Sequence, residues 1–430
     1  MSPDTADPEL LRRRQRAMGP AYRLFYDQPV HLVRGEGAWL FGADGKRYLD
    51  CYNNVASVGH CHPQVVAALS RQAATLNTHT RYLHENVVTY AERLGATLPG
   101  ELGVCMFVCT GTEANDLAVR IARAVTGNEG ILVTEDAYHG NSTTVYALST
   151  EEYPAAERPD WLEAVEAPCT YHGRFQKPGP EAARSFGGLL EPAIEQLSAR
   201  GHGPAMFLTD NIYSSNGVLT PPPEYLREAY RIVREAGGLA VADEVQSGLC
   251  RLGDHYWGFQ DAGVVPDIVT MGKPLGDGHP LAAVVTTPAI AERFARKHDY
   301  FNTFGGNPVS AAVGLAVLDV IEHEGILQNV HQTGLMLGAG LNTLMSRYDS
   351  IGDVRGKGLF FGVEIVSDRA TREPAPAEAA RLREFLREKG VLLGTSGPFN
   401  NVIKIRPPLV FGPDQAELLL DQLGRALAAA

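Results

Sequence analysis

The sequence predicts an α/β protein, with a large domain on a mostly parallel, doubly wound sheet and a small α+β domain made of both chain ends. Three observations predict it. Short apolar runs alternate with helix-period patterns through the middle of the chain, as a parallel sheet covered by helices requires. At 430 residues, 44% of them apolar, the chain exceeds one ordinary core and has material for two. The two ends read differently: the amino-terminal end alternates around a turn, the mark of an antiparallel hairpin, and the carboxy-terminal end intersperses strands with helices.

Taken in order, residues 30–50 alternate around an ADGK turn and predict a hairpin. Strands are expected at 104–109, 130–134, 205–209, 238–242, 268–271 and 281–286. The helix after the first of these starts near Thr112 and buries Leu117, Ala118, Ile121, Ala122 and Val125. Segment 151–190, rich in proline and charge, reads as a long surface loop. Strands at 358–366, 391–393 and 402–405 alternate with helices at 374–389 and 413–428. The expected boundaries are 66–310 for the large domain, with 1–65 and 311–430 forming the small one.

Composition excludes several functions. A formal charge of −12 argues against a polyanion-binding surface, so no nucleic-acid partner is expected. Six cysteines without a CxxC pair read as reduced thiols of a cytoplasmic protein. The first twenty residues, basic but without an apolar stretch, do not read as an export signal or organelle presequence. The most apolar long window, 309–321, is too short to cross a bilayer and is interrupted by Asp319. No membrane partner is expected.

Only seven of the 38 basic residues are lysines. Five fall in turns, loops or helix ends, whereas Lys273 and Lys404 adjoin buried strands. A buried amine is costly unless paired or neutralised, and imine formation with an aldehyde cofactor is one way to neutralise it; a lysine that snorkels to the surface is the plain alternative. Thr110 and Glu113 have capping-box spacing, and the amides around Gly111 and Thr112 could face a phosphate or simply start a helix. Asp243 ends an apolar strand, where a carboxylate needs a cation or proton donor such as a protonated pyridine nitrogen, unless it caps the next turn. Thirty positions separate it from Lys273, room for one strand–helix–strand unit. Tyr138 offers a flat face to a ring or packs a loop; His139 reads as structural. The GHCHP stretch at 59–63 lacks a second ligand group, and no metal is expected there.

Together these stretches resemble the class-III aminotransferase family. GAWLFGADGKRYLDC, GHCHPQVV, TGTEAN, AYHG, ADEVQSG, MGKPLGDGHPLAAVV, TFGGNP and PPLVF occur in the family's order. The resemblance implies a fold-type-I enzyme dependent on pyridoxal 5′-phosphate, acting as a homodimer with shared active sites. It implies that Lys273 forms the internal aldimine and Asp243 pairs with the pyridine nitrogen. Val245 and Tyr138 would sandwich the ring, Gln246 would lie near its hydroxyl, and Gly111 and Thr112 would hold its phosphate, with Thr303 reaching over from the partner subunit. YLDCYNNVASVGHCHPQVV, TRYLHENVVTYAERL and YFNTFGGNPVSAAVGLAVLDVIE are similar to a narrower group, the ethanolamine-phosphate and phosphohydroxylysine phospho-lyases.

Two departures from ordinary transaminases bear on substrate. Lys404 stands where an arginine usually grips a carboxylate, with Arg406 on the same strand face; two separate cations suit a tetrahedral phosphate at least as well as a carboxylate. In LTDNIYSSNG, Asp210 and small polar residues replace a Glu-Pro-Val-type segment, which puts the usual arginine switch in doubt. The expected activity is therefore elimination of phosphate and ammonia from a small phosphorylated amine such as O-phosphoethanolamine, through a carbanion. Amino transfer to a keto acid, or ammonia release from a hydroxylated aminophosphonate, is the alternative. Tyr22, Arg81, Lys404 and Arg406 are the candidate substrate residues.

Overall fold

Strands β1 (Leu32–Glu36), β2 (Trp39–Gly42) and β3 (Arg47–Asp50) form an antiparallel meander, and the expected ADGK hairpin is its β2–β3 half. Gly45 makes that turn with φ of 82°, a conformation glycine adopts without strain. The computed structural model describes residues 7–429, so the first six residues of the amino-terminal segment lie outside it.

The central sheet contains β4 (Val104–Val108), β5 (Gly130–Thr134), β6 (Leu162–Val165), β7 (Pro204–Asp210), β8 (Leu239–Asp243), β9 (Ile268–Met271) and β10 (Ala282–Thr286). Its order is β4-β10-β9-β8-β7-β5-β6. Only β10 runs antiparallel to its neighbours. The helix Gly111–Thr126 covers one face, burying the expected stripe against Ile131, Val133, Val241 and Val284. Helices Pro180–Gly188, Leu190–Ala199 and Tyr225–Glu235 cover Leu132, Phe207 and Ala240 on the other face. Burial on both faces is why these strands read as continuous apolar runs.

Two expectations need correction. Segment 151–190 is not one loop, since it contains β6, paired with β5, and the helix Pro180–Gly188. Four residues at a sheet edge, flanked by proline and charge, are too short for a periodic signal. The β8–β9 crossover contains a 3-10 turn, Gly258–Ala262, rather than a helix. Glu244 replaces helical packing there, accepting hydrogen bonds from Gly258 N and Phe259 N, each at 2.8 Å.

The carboxy-terminal part supplies β11 (Ile351–Lys357), β12 (Phe360–Asp368), β13 (Glu373–Pro374), β14 (Val391–Leu392), β15 (Gly394–Ser396) and β16 (Val402–Ile405). β14 joins β3 in parallel, tying the two chain ends together, and a second sheet has the order β11-β12-β16-β15. The apolar window at 309–321 lies within the largely buried helix Pro308–His323. Among the described residues no helix is long and apolar enough to cross a membrane.

Candidate active site

The carboxy-terminal ends of β7, β8 and β9 meet at one crevice, where open α/β sheets bind ligands. Asp210 lies opposite Asp243 in the β7–β8 register, and Lys273 follows β9 after Gly272. A cavity of about 320 Å³ opens there. It brings together seven residues singled out from sequence: Gly111, Thr112, Tyr138, Asp243, Val245, Gln246 and Lys273.

Asp243 is the last residue of a buried strand and is 4% exposed. One of its oxygens faces His139 Nδ1 at 2.7 Å and accepts from Asn115 Nδ2 at 2.9 Å, while the other accepts from Val245 N at 3.1 Å. Asn115 is oriented in turn by Thr270 Oγ1, which donates to its Oδ1 at 2.7 Å. The neighbouring Glu244 points to the opposite face of the strand and is fully buried among Asn211, Ser247 and the 3-10 turn. Burial pushes its carboxyl up to about 7, against those hydrogen bonds.

Lys273 has φ of 23°, a left-handed backbone conformation that L residues rarely adopt and that functional sites tolerate. Gly272 lets the chain pass close to the helix start, because a Cβ there would lie 3.1 Å from Gly111 N. Burial lowers the amine to about 8, with Arg406 acting in the same direction and Asp243 and Asp210 opposing it. A substantial neutral fraction therefore exists near pH 8.

The helix Gly111–Thr126 starts with the expected capping box: Glu113 N donates to Thr110 Oγ1 at 3.1 Å and Thr110 N to Glu113 Oε2 at 3.0 Å. Such a cap stabilises by about 0.5–2 kcal/mol. The Gly111 and Thr112 amides, in the first turn, have no intrahelical acceptor and face the cavity mouth. Gln246 donates to Ser214 Oγ at 2.5 Å and accepts from Asn54 Nδ2 at 3.4 Å and from Arg406 Nη1.

Lys404 and Arg406 adjoin the cavity without lining it, acting on Lys273 and Asp210; both are buried, Lys404 on β16 and Arg406 just past its end, with Arg406 directly behind Gln246. Tyr22, Arg81 and Thr303 are exposed and do not line it. Arg81 instead lies over the Phe301 ring at 4.0 Å. Sequence reasoning missed His139 as a partner of Asp243, and missed Val55, Cys109 and His279 in the lining. Only the AYHG motif carried a signal for His139. His60 bonds Asp50 at 2.7 Å, and His62 caps the helix Pro63–Ala73.

These groups fit pyridoxal 5′-phosphate. The donor set supplies a buried primary amine with a large neutral fraction, a hydrogen-bonded carboxylate and unpaired helix amides around a single cavity of ligand size. Fold and site thus define a fold-type-I pyridoxal-phosphate enzyme. The model of the aminotransferase class-III family matches residues 24–427, and the chain belongs to that family. A solved phospholyase from Arthrobacter, in complex with phosphoethanolamine, is 44% identical; the match has a TM-score of 0.95 and covers 98% of this chain and 100% of that one. An alanine–glyoxylate aminotransferase 2-like protein of Drosophila melanogaster is 43% identical over 96% of this chain and 85% of its own length. An ethanolamine-phosphate phospho-lyase homologue of Caenorhabditis elegans is 38% identical over 94% of this chain and 90% of its own.

Proposed function

We propose that the chain is a pyridoxal-phosphate-dependent lyase that releases phosphate and ammonia from a small phosphorylated amine such as O-phosphoethanolamine. One observation carries the reading: two buried basic side chains, Lys404 and Arg406, adjoin the cavity without a carboxylate within 4.0 Å of either, among the described residues. A buried basic group without an ion-pair partner is costly to charge unless a ligand supplies the anion. The likeness to the Arthrobacter phospholyase supports the same substrate class.

Gly111 and Thr112 would hold the cofactor's phosphate, Asp243 its ring nitrogen, Val245 and Tyr138 its faces and Gln246 its hydroxyl. When bound, the cofactor supplies the electron sink that makes the substrate's Cα–H acidic. Lys273, neutral in part near pH 8, takes that proton as general base. Lys404 and Arg406 draw the substrate's phosphate to one end of the pocket, fixing which carbon faces Lys273. Loss of phosphate from the adjacent carbon, followed by addition of water, gives acetaldehyde, ammonia and phosphate from O-phosphoethanolamine.

The chain acts as a homodimer in this reading. Tyr82, Leu83, Phe301 and Phe304 expose an apolar patch beside Arg81, with Leu83 99% exposed, and such patches mark association surfaces. The partner subunit's Thr303 would complete the phosphate site. The six free cysteines support a reducing compartment, which the cytoplasm provides.

Incubating the holoenzyme with O-phosphoethanolamine, without any keto acid, tests the proposal. Equal release of phosphate and ammonia over many turnovers is expected. Turnover that requires pyruvate or 2-oxoglutarate would establish amino transfer instead, the activity that the Drosophila relative's name carries. Lys404→Ala should raise KM for a phosphorylated substrate much more than for a neutral amine; equal effects would remove Lys404 from phosphate recognition.

A further inference from the structure

Lys404 and Arg406 differ more in their surroundings than their shared strand face suggests. Arg406 is pinned: its Nη1 donates to Gln246, its guanidinium lies 4.5 Å from the Tyr52 ring centre, and its backbone N donates to Cys51 O at 2.8 Å. Its Nε is buried without a partner. Lys404 Nζ has no hydrogen bond or ion pair among the described residues, yet it keeps contact with solvent although the residue is only 8% exposed. Its two neighbours across the sheet, Gly362 on β12 and Gly394 on β15, carry no side chains. Tyr52 and Phe25 close over Gly394, where a Cβ would lie 2.9 and 3.0 Å from their rings.

We propose that Lys404, buried without a partner beside the fixed cation Arg406, recognises the tetrahedral anionic head of the substrate by taking up a proton as the anion arrives. The inference rests on the phosphorylated-amine reading above and deepens it. Charged groups act on Lys404 from the elements around it: Arg406 just past the end of its own strand, Lys273 after β9, Asp210 at the end of β7 and Glu151 in the exposed loop after the helix Thr143–Leu148. Burial lowers its amine to about 7, and Arg406 adds to the effect, against the pull of Glu151 and Asp210. A dianion placed between Lys404 and Arg406 cancels that repulsion and restores the ammonium, whereas a neutral amine substrate does not. Selectivity for the phosphorylated substrate then includes a proton drawn from solvent, and it weakens as protons become scarce.

The test uses the holoenzyme and sulfate, a tetrahedral dianion that does not itself titrate near neutrality. Calorimetric titration in buffers of different ionisation enthalpy counts the protons taken up per anion bound. Native enzyme should take up close to one proton at about pH 8.5 and close to none at about pH 5.5, where Lys404 is already charged. Lys404→Arg, permanently charged, should bind sulfate without uptake. The near-visible spectrum separates any proton gained at the cofactor. Absence of uptake at pH 8.5, absence of sulfate binding, or uptake that persists in Lys404→Arg overturns the inference. Phosphate release from O-phosphoethanolamine by the same preparation keeps the two readings apart. Release without proton uptake overturns the present inference alone, and uptake without release overturns the proposed reaction.

Discussion

Glu364 on β12 and Lys404 on β16 lie two ranks apart on one small sheet, with Glu364 opposite Val402 and Gly362 opposite Lys404, yet their charges are treated in opposite ways. Around Glu364 every partner is present: His172 Nε2 lies at 2.9 Å, Asn401 Nδ2 donates at 2.8 Å, and Arg355 donates to the other oxygen. Burial alone would push this carboxyl up, but the hydrogen bond from His172 and the Arg355 charge hold it down to about 2. Around Lys404 the protein places the cation Arg406, and Glu151 and Asp210 act on the lysine without a hydrogen bond or ion pair among the described residues. The difference separates a charge cluster that serves the fold from one that awaits a ligand, because a protein gains nothing structural by burying like charges together.

The largest effect that sharpens this contrast should come from Lys273→Ala. It removes the cofactor's attachment and the general base together, so kcat should fall by more than about 10⁴-fold, with the fold unchanged by circular dichroism. A smaller fall would assign the proton transfer elsewhere. Glu364→Ala should leave Arg355 and His172 facing an absent partner and destabilise the chain by about 3–5 kcal/mol, read as a lowered denaturant midpoint. The native carboxyl titrates below its unfolded value of 4.5, so its stabilisation is complete above about pH 4.5 and is lost as pH falls toward 2. The variant's deficit should therefore shrink across that window; a deficit independent of pH would make Glu364 a packing group only.

Asp243→Asn keeps the hydrogen-bonded shape but loses the charge, and should cost about 10²–10³-fold in kcat with little change in stability. The smallest effect is expected from Lys404→Met. Lys404 titrates near 7 in the fold and at 10.5 when exposed, so between those values the unfolded chain holds more protons and native stability rises with pH. The penalty of the buried amine is full below about pH 7 and gone above 10.5. Lys404→Met should thus be more stable than native by about 1–4 kcal/mol at pH 6, the gap closing toward pH 10. A destabilised variant at pH 6 would show that Lys404 is paired after all and would dissolve the contrast with Glu364.

How much of this was legible in the sequence follows the range of each interaction. The cofactor-facing residues were legible because each sits at a strand end or helix start, where local pattern and chemistry coincide: Thr110 with Glu113, Asp243 after an apolar run, Lys273 before a chain of glycines and prolines. Strand β6 was hidden because four edge residues among prolines carry no period. The crossover to β9 was misread because length alone does not distinguish a helix from a loop held by a buried carboxylate such as Glu244. His139 was passed over for the reason that made it hard to see: its role depends on Asp243, 104 positions away. The unequal roles of Lys404 and Arg406 were also out of reach, since they depend on Gln246, Tyr52 and two glycines from other strands.

Two buried lysines with lowered amines lie in this one region, Lys273 proposed for the cofactor and Lys404 for the substrate's anion. Reducing the holoenzyme with borohydride, digesting it and weighing the peptides decides between them directly. A single pyridoxyl-phosphate label is expected on the peptide that carries Lys273. A label on the Lys404 peptide, or no label on either, would contradict that assignment.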